Sequence, residues 1–356
     1  MYDVAIVGGG LSGLLVALEV HHTDKTWILL EASSRLGGRL ENDTSGNQID
    51  LGGAWIWPKH QPHIKQLMTT LGIETFLQPD DPSSTRVVGG AVRIVTSISD
   101  QLPNQHIRTD SPVACCKRIV LPSIGDTCSA TDACITSHFV SLSLASGEEV
   151  EAKRVVMAAP PKLVSTHVDF HPALHSAKER AMSQSQTWMA GVTKVSLVYN
   201  SPRFWPLHES NVGFRPRPDN PAFQVYDSSP KDEHLSALTF FTLASISDAG
   251  TTNDEALAKA CAAQMAGSST VGQSLLRYDD YHVKRWPQEK YISEDDMPSG
   301  INPHPAPDVA LSKIAWDGML FFAGSEADLS SPGLMEGAVG AARRVVNELK
   351  SMWNKE

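Results

Sequence analysis

Residues 4–7 are Val-Ala-Ile-Val, Gly8, Gly9 and Gly10 follow at once, and from Leu11 to Val20 the apolar residues recur at helical spacing. A second apolar run, residues 27–30, ends on Glu31. Two short strands that are apolar on both faces, joined by a glycine turn and a helix, make a βαβ unit whose strands lie parallel inside a covered sheet. Gly8-x-Gly10-x-x-Gly13 sits where the first strand opens into the helix, and the Glu31 carboxylate follows eighteen residues after Gly13. Gly8 allows the tight turn, Gly10 lets a pyrophosphate approach the helix N-terminus, and Gly13 lets helix and strand touch. Glu31 can accept both ribose hydroxyls and would repel a 2′-phosphate. A bare GxGxxG is weak evidence, but in this setting it predicts a dinucleotide site, to which Leu11, Ser12 and Ala32 also belong.

The 356 residues suffice for two domains, and 41% hydrophobic with 20% charged residues is an ordinary globular composition. With a net charge of −10 and basic clusters no longer than pairs such as Arg343-Arg344, nucleic acid is not an expected partner. Four of the five cysteines (Cys115, Cys116, Cys128, Cys134) crowd together without a C-x2-C pair. Adjacent Cys115 and Cys116 would face opposite ways on a strand, so reduced thiols are expected and a metal is not. No run of about eighteen apolar residues occurs, and no basic lead or cleavage site precedes the first strand. The expectation is a cytoplasmic protein without a membrane span.

Further along, residues 63–71 read as an amphipathic helix stopped by Gly72, and residues 78–86 (QPDDPSSTR) as an exposed loop. A helix follows Gly89-Gly90. Strands are expected near residues 113–120, 139–144 and 154–158, with a hairpin excursion over 121–137. Helical stretches at 173–182 and 253–265 and strands at 193–199 and 235–243 suggest a second α+β domain. Residues 319–323 form a late strand, and a final helix starts near Leu334.

The segment EASSRLGGR places Arg35 and Arg39 around Gly37-Gly38, a second backbone turn with guanidiniums suited to a pyrophosphate. From here the chain resembles the flavin-containing amine oxidase family. IDLGGAWIWP (Gly52, Gly53, Ala54, Trp55) is similar to that family's D-x-GG-x-W/Y segment, and KRVVMAAPP (Ala158) to the strand whose end faces the cofactor. LFFAGSEADLSSPGLMEGAVGAARR (Gly324, Ser325, Glu326, Gly333, Leu334, Met335) resembles its closing signature. The resemblance implies non-covalent FAD, since YISEDDMPSG lacks the cysteine of covalent members, with Val113 also at the cofactor. It makes Lys194, in GVTKVSLVYNSPRFW, the residue that holds a water against flavin N5, and Trp286 an aromatic packed near the flavin. The helix end at Met335 would stabilise negative charge on the ring. Glu336, Gly337 and Gly340 read equally well as surface and packing residues.

The family's aromatic cage is incomplete: Leu334 stands where a Tyr is usual, and Asp295-Asp296 where another is expected. Trp55 and Trp57 could compensate, and Asp295 or Asp296 could pair with a cationic substrate. The expected fold is α/β, a discontinuous Rossmann-like FAD-binding domain (1–78, 86–163, 296–356) with a reduced α+β substrate domain (164–295). The expected reaction is oxidation of an amine by hydride transfer to flavin N5, with dioxygen giving hydrogen peroxide. Two alternatives stay open. One is another flavin hydride reaction, such as renalase-like dihydronicotinamide oxidation or a desaturase-type step; the other is a non-catalytic flavin-binding subunit. Between Gly72 and Gly89 the chain lacks much of the helical insertion usual in the family. That shortened form implies a shallower, more open pocket, suited to a bulky or macromolecule-borne amine or completed by a partner chain.

Overall fold

The computed structural model describes residues 1–121, 137–217, 220–243, 253–293 and 304–355. The chain forms two compact units, Met1–Leu36 with Ile98–Ser185 and Pro305–Glu356, and Gly37–Ser97 with Gln186–His304.

The first unit is built on an eight-stranded sheet. Strand Tyr2–Val7 lies parallel to Trp27–Leu30 on one side and to Glu149–Met157 on the other. Leu320–Phe322 joins Glu149–Met157 in parallel, and Ile107–Arg108 extends the sheet beyond Trp27–Leu30. Val113–Leu121, Ser137–Leu144 and Glu149–Met157 form an antiparallel meander, with Asp169–His171 at its outer edge. The helices Leu11–His21 and Met335–Trp353 pack against each other. Val4, Ala5, Ile6 and Leu29 have no exposed surface, as strands covered on both faces require. Cys116 is buried and Cys115 half-buried, the alternation expected of a strand; Cys128, Cys134 and most of the 121–137 excursion lie outside the described residues. Among the described residues no helix is long and apolar enough to cross a membrane.

One buried cation in this unit has a measurable consequence. Lys178, in helix Ser176–Gln184, donates to the Leu311 carbonyl at 3.2 Å and lies 3.5 Å from the Phe322 ring centroid. Burial, reinforced by Arg344, pulls its ammonium down to about 7, against the weaker opposing pull of Asp308 and Glu348. Between about pH 7 and the ordinary lysine value of 10.5 the unfolded chain holds a proton there that the folded chain does not. Stability therefore gains from this residue as pH rises through that window. Lys178→Met is expected to flatten the pH dependence of the denaturation midpoint there; an unchanged slope would refute it.

The second unit centres on a five-stranded antiparallel sheet ordered Val212–Gly213, Ala222–Asp227, Ser236–Leu243, Val192–Tyr199, Asp280–Arg285. One face, with Val195, Leu197, Leu238 and Phe240, packs on helix Asp254–Ala266. That helix starts after Asn253, whose side chain caps it by accepting from Ala256 N at 2.7 Å. The other face carries Lys194, Ser196 and Val198.

The stretch 78–86 departs from its expected form. It is no exposed loop: Thr75–Gln78 and Asp81–Val87 are paired strands, and Asp81–Val87 also pairs with Trp55–Ile56. Gln78, Ser84 and Arg86 are buried. Ser84 Oγ donates to the nearby Asp81 carbonyl at 3.1 Å, while Gln78 and Arg86 find interior partners far along the chain. Gln78 donates to the Asp227 carbonyl at 2.8 Å, Asp80 accepts from Asp227 N at 2.8 Å, and Arg86 donates to the carbonyls of Ser228 and Ser229. Polar composition signals a loop only when such partners are missing.

Candidate functional site

In the first unit the carboxyl ends of the parallel strands converge on the glycine turn. Gly8 N donates to Leu30 O at 2.8 Å, Ala158 N to Val7 O at 2.8 Å and Ala323 N to Met157 O at 2.7 Å. Open α/β sheets bind ligands at such ends. A Cβ on Gly13 would stand 1.9 Å from the Gly8 carbonyl oxygen, so helix Leu11–His21 can lie this close only with glycine there. A Cβ on Gly10 would meet nothing within 4 Å, and no side chain caps this helix. Open space therefore stands before unclaimed helix-end N–H groups, the setting a pyrophosphate needs. Ser12, buried in the first turn, donates to the Ala323 carbonyl and ties the turn to the closing strand.

Glu31 is buried at the end of its strand. Its Oε2 accepts from Gly9 N at 2.5 Å, and its Oε1 from Ser33 N and Ser33 Oγ, both at 2.8 Å. Three of about four lone-pair sites are thus taken, and a ligand hydroxyl can add to Oε2. Ala32 and Arg35 follow in the loop, and Val113 opens its strand with its side chain buried. These groups fit the adenosine and pyrophosphate end of a dinucleotide.

The closing segment lies in the same unit. Glu326 is fully buried and accepts from Ser325 Oγ at 2.9 Å, while Gly333 N donates to Ser325 O at 3.2 Å. Leu334 is the N-cap of helix Met335–Trp353 and supplies no side-chain cap, so the helix end at Met335 is left for another acceptor. Gly337 and Gly340 are packing residues, since added Cβ atoms would fall 2.1 Å from Ser331 O and 2.4 Å from the Asp328 carboxylate. Glu336 is buried, so its surface reading does not hold.

In the second unit, the Gly37–Arg39 turn and the Asp50–Gly53 turn are stitched together. Leu51 N and Gly52 N donate to Glu41 O at 2.9 and 3.1 Å, and Gly53 N to Arg39 O at 3.0 Å. Two candidate residues from distant segments grip this stitched loop. Lys194 Nζ donates to Gly52 O at 2.6 Å and to Asp50 O at 3.3 Å, and Trp286 Nε1 to Leu51 O at 2.9 Å. Both side chains are buried. Lys194 lies on an interior strand, not on a solvent-facing edge.

Lys194 has a third partner, the Tyr226 hydroxyl at 3.3 Å, and its Nζ lies 5.0 Å from the Phe241 ring centroid. An ammonium thus has an acceptor for each of its three protons. A water can join when the long Tyr226 bond yields or when the amine is neutral and offers its lone pair. Both charge states are accessible near neutrality, because burial pulls Lys194 down to about 8, with Asp50 opposing and Arg86 assisting. Buried Asp50 is pushed up to about 6 by desolvation, against the pull of Arg86, the Ala91 N–H and Lys194.

Around this lysine stand Trp55, 4.4 Å from Tyr226 and 5.8 Å from Phe241 between ring centroids, and Phe223, stacked on Phe241 at 5.8 Å. Trp57 lies 6.3 Å from Trp55. Trp55 and Trp57 are half-buried, and Ala54 is buried between Gly53 and Trp55. Asp295 and Asp296 lie outside the described residues. Tyr226, Phe241, Arg86 and Asp50 were not among the expected site residues. Asp50 in IDLGG and the alternating AFQVYD strand were the available signals.

Comparison with known proteins follows the same lines. A family model described as flavin containing amine oxidoreductase matches residues 82–350, and one described as an NAD(P)-binding Rossmann-like domain matches 6–71. (S)-6-hydroxynicotine oxidase of Paenarthrobacter nicotinovorans is 39% identical over 79 residues, 21% of this chain and 19% of that protein. Amine oxidase [flavin-containing] B of Bos taurus is 44% identical over 78 residues, 21% of this chain and 14% of that protein. The matched stretch is thus about a fifth or less of these curated relatives. Cyclohexylamine oxidase from Brevibacterium oxydans IH-35A shares the fold with a TM-score of 0.77 at 17% identity, over 99% of each chain. Wild-type putrescine oxidase bound to putrescine does so with a TM-score of 0.73 at 17% identity, over 98% of this chain and 99% of that one.

Proposed function

As the chain belongs to the flavin containing amine oxidoreductase family, we propose that it is an FAD-dependent amine oxidase. For a primary amine the balanced reaction converts the amine, dioxygen and water to aldehyde, ammonia and hydrogen peroxide. The observation that carries this reading is the grip of Lys194 and Trp286 on the Asp50–Gly52 backbone, two side chains brought from distant segments to one loop. When bound, FAD would supply the two-electron chemistry, with N5 as acceptor of a hydride from the amine α-carbon and dioxygen as the final acceptor. Everything else falls to the protein.

Gly8, Gly10, Gly13 and Glu31 hold the dinucleotide end on this reading, with the Arg35, Gly37-Gly38 and Arg39 segment assigned to the pyrophosphate and Gly52, Gly53, Ala54 and Trp55 to the flavin. Gly324, Ser325, Glu326, Gly333 and the N-terminal end of helix Met335–Trp353 complete the set. Lys194 holds and moves a proton at Nζ. Its burial keeps that proton poised for loss near neutral pH. Trp55 and Trp57 supply ring faces to the amine, in place of the absent cage residue at Leu334. The family's helical insertion is replaced by the short hairpin Thr75–Gln78 and Asp81–Val87, which favours a bulky amine. The free thiols of Cys115, Cys116 and Cys261 suit the cytoplasm.

No cysteine follows Cys261 in the chain, so acid precipitation should release all flavin into the supernatant, and flavin left in the pellet would contradict non-covalent binding. The activity is tested by anaerobic mixing of the yellow protein with primary amines, polyamines, amino acids and dihydronicotinamides. Bleaching of the flavin band by amines is expected. Bleaching by dihydronicotinamides alone, or by no donor, would overturn the proposal.

A further inference from the structure

The five-stranded sheet of the second unit contains a row of hydroxyls that nothing in the proposed function uses. Tyr226 pairs across strands with Thr239, Thr239 with Ser196, and Ser196 with His282, so the four residues cross four adjacent strands in one line. The neighbouring row on the opposite face, Val225, Phe240, Val195 and Val283, is wholly apolar. Tyr226 is 1% exposed, and Thr239 and Ser196 have no exposed surface. Hydroxyls so deeply placed are costly unless each has a partner. Here the partners form a chain. Lys194 Nζ bonds Tyr226 at 3.3 Å, the Tyr226 hydroxyl is hydrogen-bonded to Thr239, and Thr239 Oγ1 lies 2.7 Å from Ser196 Oγ. Thr239 Oγ1 also donates to Ser228 Oγ at 2.7 Å, so its proton rests on this side branch and turns into the row only when Thr239 rotates.

The row ends where the sheet ends. His282 is on the edge strand Asp280–Arg285, directly across from Ser196, with its side chain 13% exposed. Its Nε2 is 3.4 Å from Ser45 Oγ, 4.0 Å from Asp43 and 3.8 Å from the carboxylate of Asp280, which is half exposed. Residues directly opposite in an antiparallel pair bring their side chains to about 5 Å of each other. The hydrogen-bonded row thus runs from a buried lysine to Ser196, and His282, an imidazole with access to water, stands as the cross-strand neighbour of its last hydroxyl.

We propose that the hydroxyl row Tyr226, Thr239 and Ser196, ending beside His282, is a proton path that recharges Lys194 from the edge of the sheet. The proposal rests on the reading of Lys194 given above. Dioxygen takes up two electrons and two protons in becoming hydrogen peroxide, and the hydride taken from the amine accounts for both electrons and one proton. The other proton leaves Lys194 Nζ. Once Thr239 turns its proton from Ser228, the neutral amine takes a proton from Tyr226, Tyr226 from Thr239 and Thr239 from Ser196, and Ser196 is resupplied from the His282 side of the strand pair, where a proton enters from water. One proton enters and one leaves, and each hydroxyl ends as it began. Burial raises Tyr226 well above the ordinary phenol range, which disfavours a phenolate along the row. Charged groups facing Lys194 are Asp50 and Arg86; Lys284, its cross-strand neighbour, is paired with Glu41 and Glu289.

Thr239→Val keeps the side-chain shape and removes the hydroxyl, and Thr239→Ser keeps the hydroxyl. In the holoenzyme, with amine reduction as internal reference, Thr239→Val should slow the dioxygen half-reaction roughly tenfold, a modest share of what positioned proton transfer contributes. It should also enlarge the solvent deuterium isotope effect on that step, and Thr239→Ser should restore both. Independently of turnover, a pH jump on the resting holoenzyme should shift the flavin absorbance as Lys194 changes charge, and Thr239→Val should slow that relaxation. Should Thr239→Val fail to fold, Ser196→Ala cuts the same path. Wild-type dioxygen and relaxation rates in these variants would overturn the path while Lys194→Met still slowed the reaction. A Lys194→Met protein with an unchanged dioxygen rate would remove the reading of Lys194, and the path with it.

Discussion

Lys194→Met should slow reaction of the reduced protein with dioxygen on the order of 10²-fold, while anaerobic reduction by amine changes much less. Met nearly matches the length of Lys, so the substitution removes the Nζ donors and the cation beside the Tyr226 and Phe241 rings with little change of side-chain volume. It leaves the carbonyls of Gly52 and Asp50 without their Lys194 partner, and the accompanying loss of stability should be about 1–3 kcal/mol. Flavin content therefore has to be measured beside the rates. The pH dependence gives a second signature. A proton can leave Lys194 only while the residue is charged, so the wild-type dioxygen rate should fall as pH rises through about 8, and the Met variant should lack that fall. Stopped-flow reoxidation across pH 6–10, spanning that value by about two units each way, decides it. Equal rates for the two proteins at every pH would remove Lys194 from the chemistry.

The second large effect is at the glycine turn. Gly13→Ala would set a Cβ 1.9 Å from the Gly8 carbonyl oxygen, so helix and strand must separate. Forced overpacking of this kind costs about 1–3 kcal/mol, and here it also spoils the approach of the helix end to its ligand. Loss of both flavin and thermal stability is expected. Gly10→Ala is the informative partner, because its Cβ meets no atom of the protein within 4 Å. Its stability without flavin should stay within about 1 kcal/mol of wild type, the cost expected when a substitution meets no strain or clash, while flavin retention through gel filtration collapses. If Gly10→Ala retained its flavin fully, the space before this helix would not be where the pyrophosphate lies.

Local patterns made the first unit legible. The βαβ start, the late strand Leu320–Phe322 and the closing helix each announce themselves within about thirty residues, through apolar runs, glycines and helical spacing. Lys194 was legible for a related reason, as a cation amid Val192, Val195 and Leu197 that had to be either buried or on an edge. The hairpin at 75–87 and the surroundings of Lys194 were not. Arg86 reads as a surface residue until Ser228 and Ser229 stand opposite it, and those partners lie more than a hundred positions away. Tyr226 is an ordinary strand aromatic until the register pairs it with Thr239. Such long-range pairing leaves no periodic trace in one sequence.

The strand Leu320–Phe322 pairs with Val155, Val156 and Met157, and it enters the chain some 160 residues after them. A ribosome-bound nascent chain must keep that apolar edge unpaired while the intervening residues, nearly half of this sequence, are made. Open hydrophobic edges recruit other chains. Chains stopped before residue 320 should therefore accumulate as aggregates and not as a smaller folded core, and efficient production should depend on holdase chaperones while residues 158–320 are being made.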